Sequence, residues 1–183
     1  MLKKFYPYEY AESVFAIDYK KLYDLGFRGI IFDIDNTLVH HGEDSTPEVD
    51  ALFREIQSIG LKTVLLSNNT DERIERFLEN IDSPYVYDAH KPETEGYFKA
   101  LEILGVEKEK AVVIGDQVFT DILGANKCGI PSILVKFLRK AAEKKIGKKR
   151  QLEKAVLFTY KLRKSYRNRI GDIMKTEETA NVS

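Results

Sequence analysis

"GIIFDIDNTLV", residues 29–39, sets a short apolar run against two aspartates, Asp33 and Asp35, one residue apart where a buried strand should end. A run of this length, with glycine before it and charge after it, fits a strand covered on both faces, as in parallel sheets. Four more runs share the character: "TVLLS" (63–67), "YVYDA" (85–89), "AVVIG" (111–115) and "SILVK" (132–136). Helical patterns with readable ends lie between them. Thr46 is an N-cap with Pro47 at the first helical position and Gly60 at the C-terminal cap. Asn69 or Thr70 caps "DERIERFLEN", Leu101 and Leu104 give "ETEGYFKALEIL" an apolar face closed by Gly105, and "TDILGANKCG" ends on Gly129. Strand and helix in alternation predict an α/β fold, a three-layer doubly wound parallel sheet.

In such sheets the ligand binds outside the carboxyl ends of the strands. The residues there are Asp33 and Asp35 after the first run, Ser67 and Asn68 at the end of the second, His90 and Lys91 after the third, and Asp116 after the fourth, with Asp121 following. Each has an ordinary structural use alone, as a turn, a cap or a solvated loop residue. Four strands delivering them to one rim is a different matter. Like charges at about 4 Å, in a medium of effective dielectric about 20, repel by about 4 kcal/mol, so something positive must sit among the carboxylates. Two candidates are open, a divalent cation and the ammonium of Lys91.

The chain has 183 residues, 43% of them hydrophobic, enough for one domain with a sizeable core plus an appendage. Cys128 is the single cysteine, which excludes an internal disulfide and suits a reducing, cytoplasmic compartment. No apolar stretch of signal-peptide length follows Lys3 and Lys4, and no run approaches the length of a membrane span, so a secreted or integral protein is not expected. Net charge is zero, but residues 136–170 hold 14 Lys or Arg against 2 Glu, a net of +12, and the remainder carries −12. The chain divides into residues 1–135, a core with an N-terminal helical lead-in; 136–170, a basic helical extension broken near Gly147; and 171–183, a polar tail expected to be disordered.

Asp33-Ile-Asp35-Asn-Thr37, then Ser67, then Lys91, then Gly115-Asp116-Gln-Val-Phe-Thr-Asp121 resemble the four successive motifs of the haloacid dehalogenase (HAD) superfamily of aspartate-nucleophile phosphatases. "DIDNTL", "SNN", "HKP" and "GDQVFTDILGAN" are similar, more narrowly, to the YqeG-type subgroup, itself similar to mitochondrial phosphatidylglycerophosphate phosphatases. The resemblance covers about residues 25–135 and implies a HAD-like Rossmannoid core. Asp33 is expected to attack phosphorus and form an aspartyl-phosphate. Asp35 is expected to protonate the departing oxygen and then take a proton from water. Mg²⁺ is expected between the carboxylates of Asp33 and Asp116, whose hard oxygens suit it. The resemblance adds the backbone carbonyl of Asp35 and a direct or indirect part for Asp121. Ser67 and Asn68 are expected to donate to the phosphoryl group, Lys91 to offset its charge, and Thr37 to stand beside the substrate as a hydroxyl that mainly pins the turn.

The spacing from Asp35 to Ser67 leaves room for a flap, one helix and one strand, and that from Ser67 to Lys91 for one helix and one short strand. No cap domain fits, so the site is expected to be open to a phosphate carried on something large, phosphatidylglycerophosphate first. In the basic segment Leu152, Val156 and Tyr160 form one spaced row, and Phe158, Leu162, Tyr166 and Ile170 another. Packing on the sheet, peripheral contact with an anionic inner-membrane surface, and RNA binding are the three uses open to it. Tyr6, Tyr8 and Tyr10 are expected to pack beneath the sheet rather than anchor in an interface. His40, His41 and His90 lack the partner spacing of a zinc site, and His90, beside Lys91, is the best placed of them. A phosphatase of soluble or protein phosphates, and an RNA- or ribosome-associated binding protein on the same scaffold, are the alternative functions.

Overall fold

A computed structural model of the chain describes residues 2–138 and 148–176. Six strands form one fully parallel sheet: β1 (Glu9–Ala11), β2 (Gly29–Phe32), β3 (Lys62–Leu66), β4 (Tyr85–Val86), β5 (Ala111–Gly115) and β6 (Ser132–Val135). Their spatial order is β1-β6-β5-β2-β3-β4, so the strand ending at Asp33 lies in the middle of the sheet, between β5 and β3. Alternation along the strands assigns the two faces. Ile30, Phe32, Leu65, Val112, Ile114 and Ile133 enter one core with α1 (Tyr19–Asp24), α2 (Pro47–Ile59) and α3 (Asp71–Phe77). Ile31, Val64, Leu66 and Val113 enter the other with α4 (Glu95–Leu104) and α5 (Leu123–Cys128). Truncating a fully buried ring such as Phe32 to alanine would cost about 3–5 kcal/mol.

Helix α2 shows how the ends are set. Thr46 accepts from the Val49 N–H at 3.3 Å, Pro47 supplies a preset φ, and Glu48 and Asp50 complement the dipole of the first turn. Its face of Val49, Leu52, Phe53 and Ile56 is buried, and Gly60 ends it at φ 97°, where a side chain would be strained.

Four expectations change. The lead-in is not wholly helical: Glu9–Ala11 forms the edge strand β1 beside β6, too short to carry an alternation signal. Tyr6 and Tyr8 therefore lead into an edge strand, and Tyr10 lies within it. Tyr6 meets the rings of Tyr160 and Tyr166, and Arg169 lies over Tyr8. The run at 85–89 is a strand only at Tyr85–Val86, because Asp88 and His90 take left-handed φ of 41° and 50° and turn the chain toward Lys91. "VFTDI" (118–122) is a π-helical turn that runs into α5.

The fourth change concerns the C-terminal segment. Helix α6 (Lys148–Leu162) docks through Val156 and Tyr160 onto Tyr6, Val118, Ile122 and Leu134, forming a third small core. Leu152, Phe158 and Leu162 face solvent instead. Residues 171–176 belong to the fold rather than to a disordered tail: Ile173 is fully buried, its carbonyl accepts from the Asp18 N–H at 2.8 Å, and Met174 bridges to Ile17. The first half of the expected basic helical pair falls on residues 139–147, and the end of the tail on 177–183, both outside the described residues.

Candidate active site

Strand β2 delivers Asp33 to the carboxyl edge, where its N–H still bonds the Ile114 carbonyl at 2.9 Å. The chain then reverses. Asn36, in the left-handed region at φ 62°, is a residue type that tolerates it, and its N–H bonds the Val39 carbonyl at 2.7 Å. Thr37, on the returning arm, donates its hydroxyl to Asp33 Oδ2 at 2.8 Å and approaches Asp116 Oδ1 at 3.4 Å. From the ends of the other strands come Lys91, Asp116 and Asp121. Lys91 Nζ donates to Asp33 Oδ1 at 2.6 Å and to Asp121 Oδ1 at 2.8 Å. Gly115 makes room for this, since a Cβ there would lie 2.5 Å from Asp121 Cγ.

Carboxylate oxygens of Asp33, Asp116 and Asp121 converge within 4.8 Å of one another, and all three residues are buried. Burial drives the Asp33 carboxyl upward from 3.8 to about 6, with Lys91 pulling against it and Asp121 adding to it. Asp116 is pushed well above the ordinary carboxylate range by burial, then by repulsion from Asp33 and Asp121, against the pull of Arg150. Burial opposes the charge on Lys91, but Asp121 and Asp33 outweigh it and hold the ammonium protonated. Three carboxylates with two still resisting ionisation form a hard-oxygen set short of positive charge, and a divalent cation fits it.

Asp35, two residues from Asp33, belongs to another environment. Its carboxylate accepts from the Asn69 amide at 2.7 Å, the Gly42 N–H at 3.0 Å and Arg73 Nη2 at 3.2 Å, with His41 Nδ1 at 3.3 Å. Burial opposes its charge, but these donors prevail and hold it below the ordinary value. Ser67 Oγ accepts from the Asn69 N–H at 3.2 Å and the Asn69 amide at 2.9 Å, so both acceptor positions are filled and its proton is left to donate. A cleft of about 270 Å³ runs over these groups, lined by Asp33, Asp35, Ser67, Asn68, Lys91, Gln117 and Lys149.

The haloacid dehalogenase-like hydrolase model matches residues 43–129. A Bacillus subtilis (strain 168) protein named "Probable phosphatase YqeG" is 40% identical over 137 residues, spanning 74% of this chain and 80% of that one. The chain belongs to the haloacid dehalogenase-like hydrolase family. A crystal structure of an uncharacterized protein from Listeria monocytogenes serotype 4b superposes with a TM-score of 0.52 at 19% identity, covering 74% of this chain and 99% of that one, and shares the fold.

Among the residues expected from sequence, this HAD chain brings Asp33, Asp35, Ser67, Lys91, Asp116 and Asp121 to one rim. Of the substrate-binding expectations, Asn68 gains a second part and Thr37 changes. Asn68 lines the cleft, and its amide also holds Lys91, accepting from the Lys91 N–H at 2.7 Å and donating to the Lys91 carbonyl at 3.3 Å. Thr37 is buried against Asp33 and Asp116 and does not line the cleft. The Asp35 carboxylate stands apart from the three that converge. Of the histidines, His41 is an exposed partner of Asp35, and His90 is exposed where the chain turns. Asn69, Arg73, Arg150 and Glu153 join the site only through contacts across the fold. Asn69 was visible in "SNN" only as a cap candidate, and the two arginines and Glu153 carried no local signal.

Proposed function

We propose that the chain is a Mg²⁺-dependent phosphomonoester hydrolase that works through an aspartyl-phosphate on Asp33. The observation that carries this reading is the convergence of the Asp33, Asp116 and Asp121 carboxylates, the first and last of them bonded to Lys91, at an open cleft. Asp33, Asp116 and Asp121 would hold the cation, which supplies charge neutralisation for a phosphoryl oxygen and the nucleophile. Asp33, held by Thr37 and Lys91, attacks phosphorus as the ester oxygen leaves. Ser67 donates its free proton to a phosphoryl oxygen, and Lys91 spreads positive charge over the same region. Asp35, whose donors favour its carboxylate, is set to take a proton from the water that cleaves the acyl phosphate, and the proton gained there is the one it passes to the leaving oxygen of the next turnover. Phosphate release from p-nitrophenyl phosphate, with and without Mg²⁺ and after chelation, tests the reading. Full activity in chelator would end it.

The substrate we favour is phosphatidylglycerophosphate. No cap domain lies over the cleft among the described residues, and α6, beside the cleft, exposes Leu152, Phe158 and Leu162 among its lysines. An apolar face framed by cations suits an anionic bilayer surface, where each Lys or Arg near the surface is worth about 1 kcal/mol. No helix of the described residues is long and apolar enough to cross a membrane. Replacing Leu152, Phe158 and Leu162 with serine should weaken binding to vesicles containing phosphatidylglycerol and hydrolysis of the lipid in them, while turnover of p-nitrophenyl phosphate stays within a few-fold. Equal loss on both substrates would favour a soluble substrate and a structural role for α6. Arg150 does not belong among the surface-facing cations, because it turns inward.

A further inference from the structure

Helix α6 comes from a segment that the motifs do not reach, yet its first turns enter the catalytic edge. Arg150 Nη2 pairs with Asp116 Oδ2, and Nη1 donates to the backbone carbonyl of the same residue at 2.8 Å, so one guanidinium grips both the side chain and the main chain of Asp116. Arg150 is itself held without help from that carboxylate. Nη1 also reaches Glu153 Oε2 at 2.9 Å, one helical turn on, and the guanidinium lies over the Phe137 ring with its centroid 4.4 Å away. Glu153 is buried, and its Oε1 accepts from the Val118 N–H at 3.0 Å, which ties α6 to the turn two residues beyond Asp116. Below the pair, Val156 and Tyr160 anchor the helix in the third core.

We propose that Arg150 and Glu153 are positioning residues that fix the Asp116 carboxylate for the divalent cation, making α6 a working part of the catalytic centre. With Oδ2 taken by Arg150, the carboxylate plane is set and Oδ1, near Thr37, is the oxygen left to face Asp33. A planar fork locks orientation in a way that a lysine cannot, since it spans the carboxylate and the carbonyl at once. Glu153 keeps the fork aligned and offsets its charge, so that Arg150 acts as a hinge pin rather than as a rival cation. Groups behind metal ligands commonly change affinity by about 10–100-fold when removed.

The inference rests on the cation reading above, and its test separates the two. Mg²⁺ and Mn²⁺ binding to the full chain is measured by isothermal titration, together with kcat and KM for p-nitrophenyl phosphate against Mg²⁺ concentration. Arg150→Gln should weaken Mg²⁺ binding by about tenfold or more and raise the Mg²⁺ needed for half-maximal rate in step, with little change in KM at saturating Mg²⁺. Arg150→Lys should recover only part of the affinity. Glu153→Gln, which keeps an acceptor for the Val118 N–H, should weaken binding by a smaller factor with an unchanged circular dichroism spectrum. Lys154→Gln, an equal loss of charge on an exposed position of the same helix, should bind Mg²⁺ as the wild type does. Unchanged affinity in folded Arg150→Gln overturns the proposal, and tighter binding does so by showing that Arg150 competes with the cation. If the wild type binds neither ion, the cation reading falls and takes this proposal with it.

Discussion

Asp33 and Asp35 are two residues apart in the chain and sit in opposite electrostatic worlds. The inner carboxylate shares a buried space with Asp116 and Asp121, and its pKa rises to about 6. The outer one is ringed by an amide, a backbone N–H, a guanidinium and a histidine, and its pKa falls. Spacing in sequence therefore does not assign their roles. What assigns them is which donors the fold brings from α3, from the 41–44 flap and from the end of β3 to one carboxylate and not to the other. The inner group is poised to be completed by added positive charge, and the outer group is complete already.

The largest effect that could break this contrast is chemical. Asp33→Asn should lower turnover on any phosphomonoester by roughly 10³-fold or more, because the nucleophile is gone. Rapid-quench detection of labelled enzyme should find no acid-stable phosphoenzyme. Near-normal rates would move the nucleophile elsewhere.

Asp35→Asn should behave differently according to the leaving group. General acid–base help is worth about 10²–10⁴-fold, and p-nitrophenolate leaves with little need of a proton while an alkoxide needs one. With p-nitrophenyl phosphate the first step should survive and the second should stall, giving a burst of p-nitrophenol followed by slow turnover. With glycerol phosphate the burst should be absent. A burst-free loss of equal size on both substrates would remove Asp35 from proton transfer.

A smaller effect concerns stability against pH. A carboxyl whose folded pKa lies above its unfolded value binds more protons when folded, so its contribution to stability is present below about pH 4 and is lost as pH rises through about 6. Asp35, with a lowered pKa, contributes in the reverse sense, present above its unfolded value and lost only as pH falls through the lower folded one. In chelator, thermal melts should therefore show a Tm a few degrees higher at about pH 5 than at about pH 7.5. Mg²⁺ should shrink the difference, because the cation stabilises the ionised forms. A Tm that rises with pH in chelator would mean the inner carboxylates are not strained by their own charge.

The smallest expected effect sharpens the outer half of the contrast. Arg73→Gln removes one charge-assisted donor and leaves the Asn69 and Gly42 bonds, so the Asp35 pKa should move up toward its ordinary value and kcat should change by only a few-fold. Carbon-13 NMR titration of the aspartate carboxyls measures the first, and steady-state kinetics the second. An Asp35 resonance that titrates unchanged would place the control in the remaining donors.

The sequence by itself determined the parallel α/β core and the rim of catalytic side chains, because both are written locally. Apolar runs such as "GIIF" and "AVVIG" select buried strands, caps such as Thr46 and Gly60 bound a helix between them, and strand ends give Asp33, Ser67, Lys91 and Asp116 a shared edge without any contact being known. Only the tertiary structure decided what each polar atom faces. That Asn68 serves Lys91, that Arg73 serves Asp35, and that Arg150 turns from a basic stretch onto Asp116 all depend on pairs 23 to 38 residues apart meeting in three dimensions. Edge strand β1 and the docking of Ile173 are of the same kind: three or four residues hold too little pattern to be read alone, and they fold where a partner edge or core already exists. A charge run records how many cations a segment carries, whereas burial and the partner across the fold decide which one of them works.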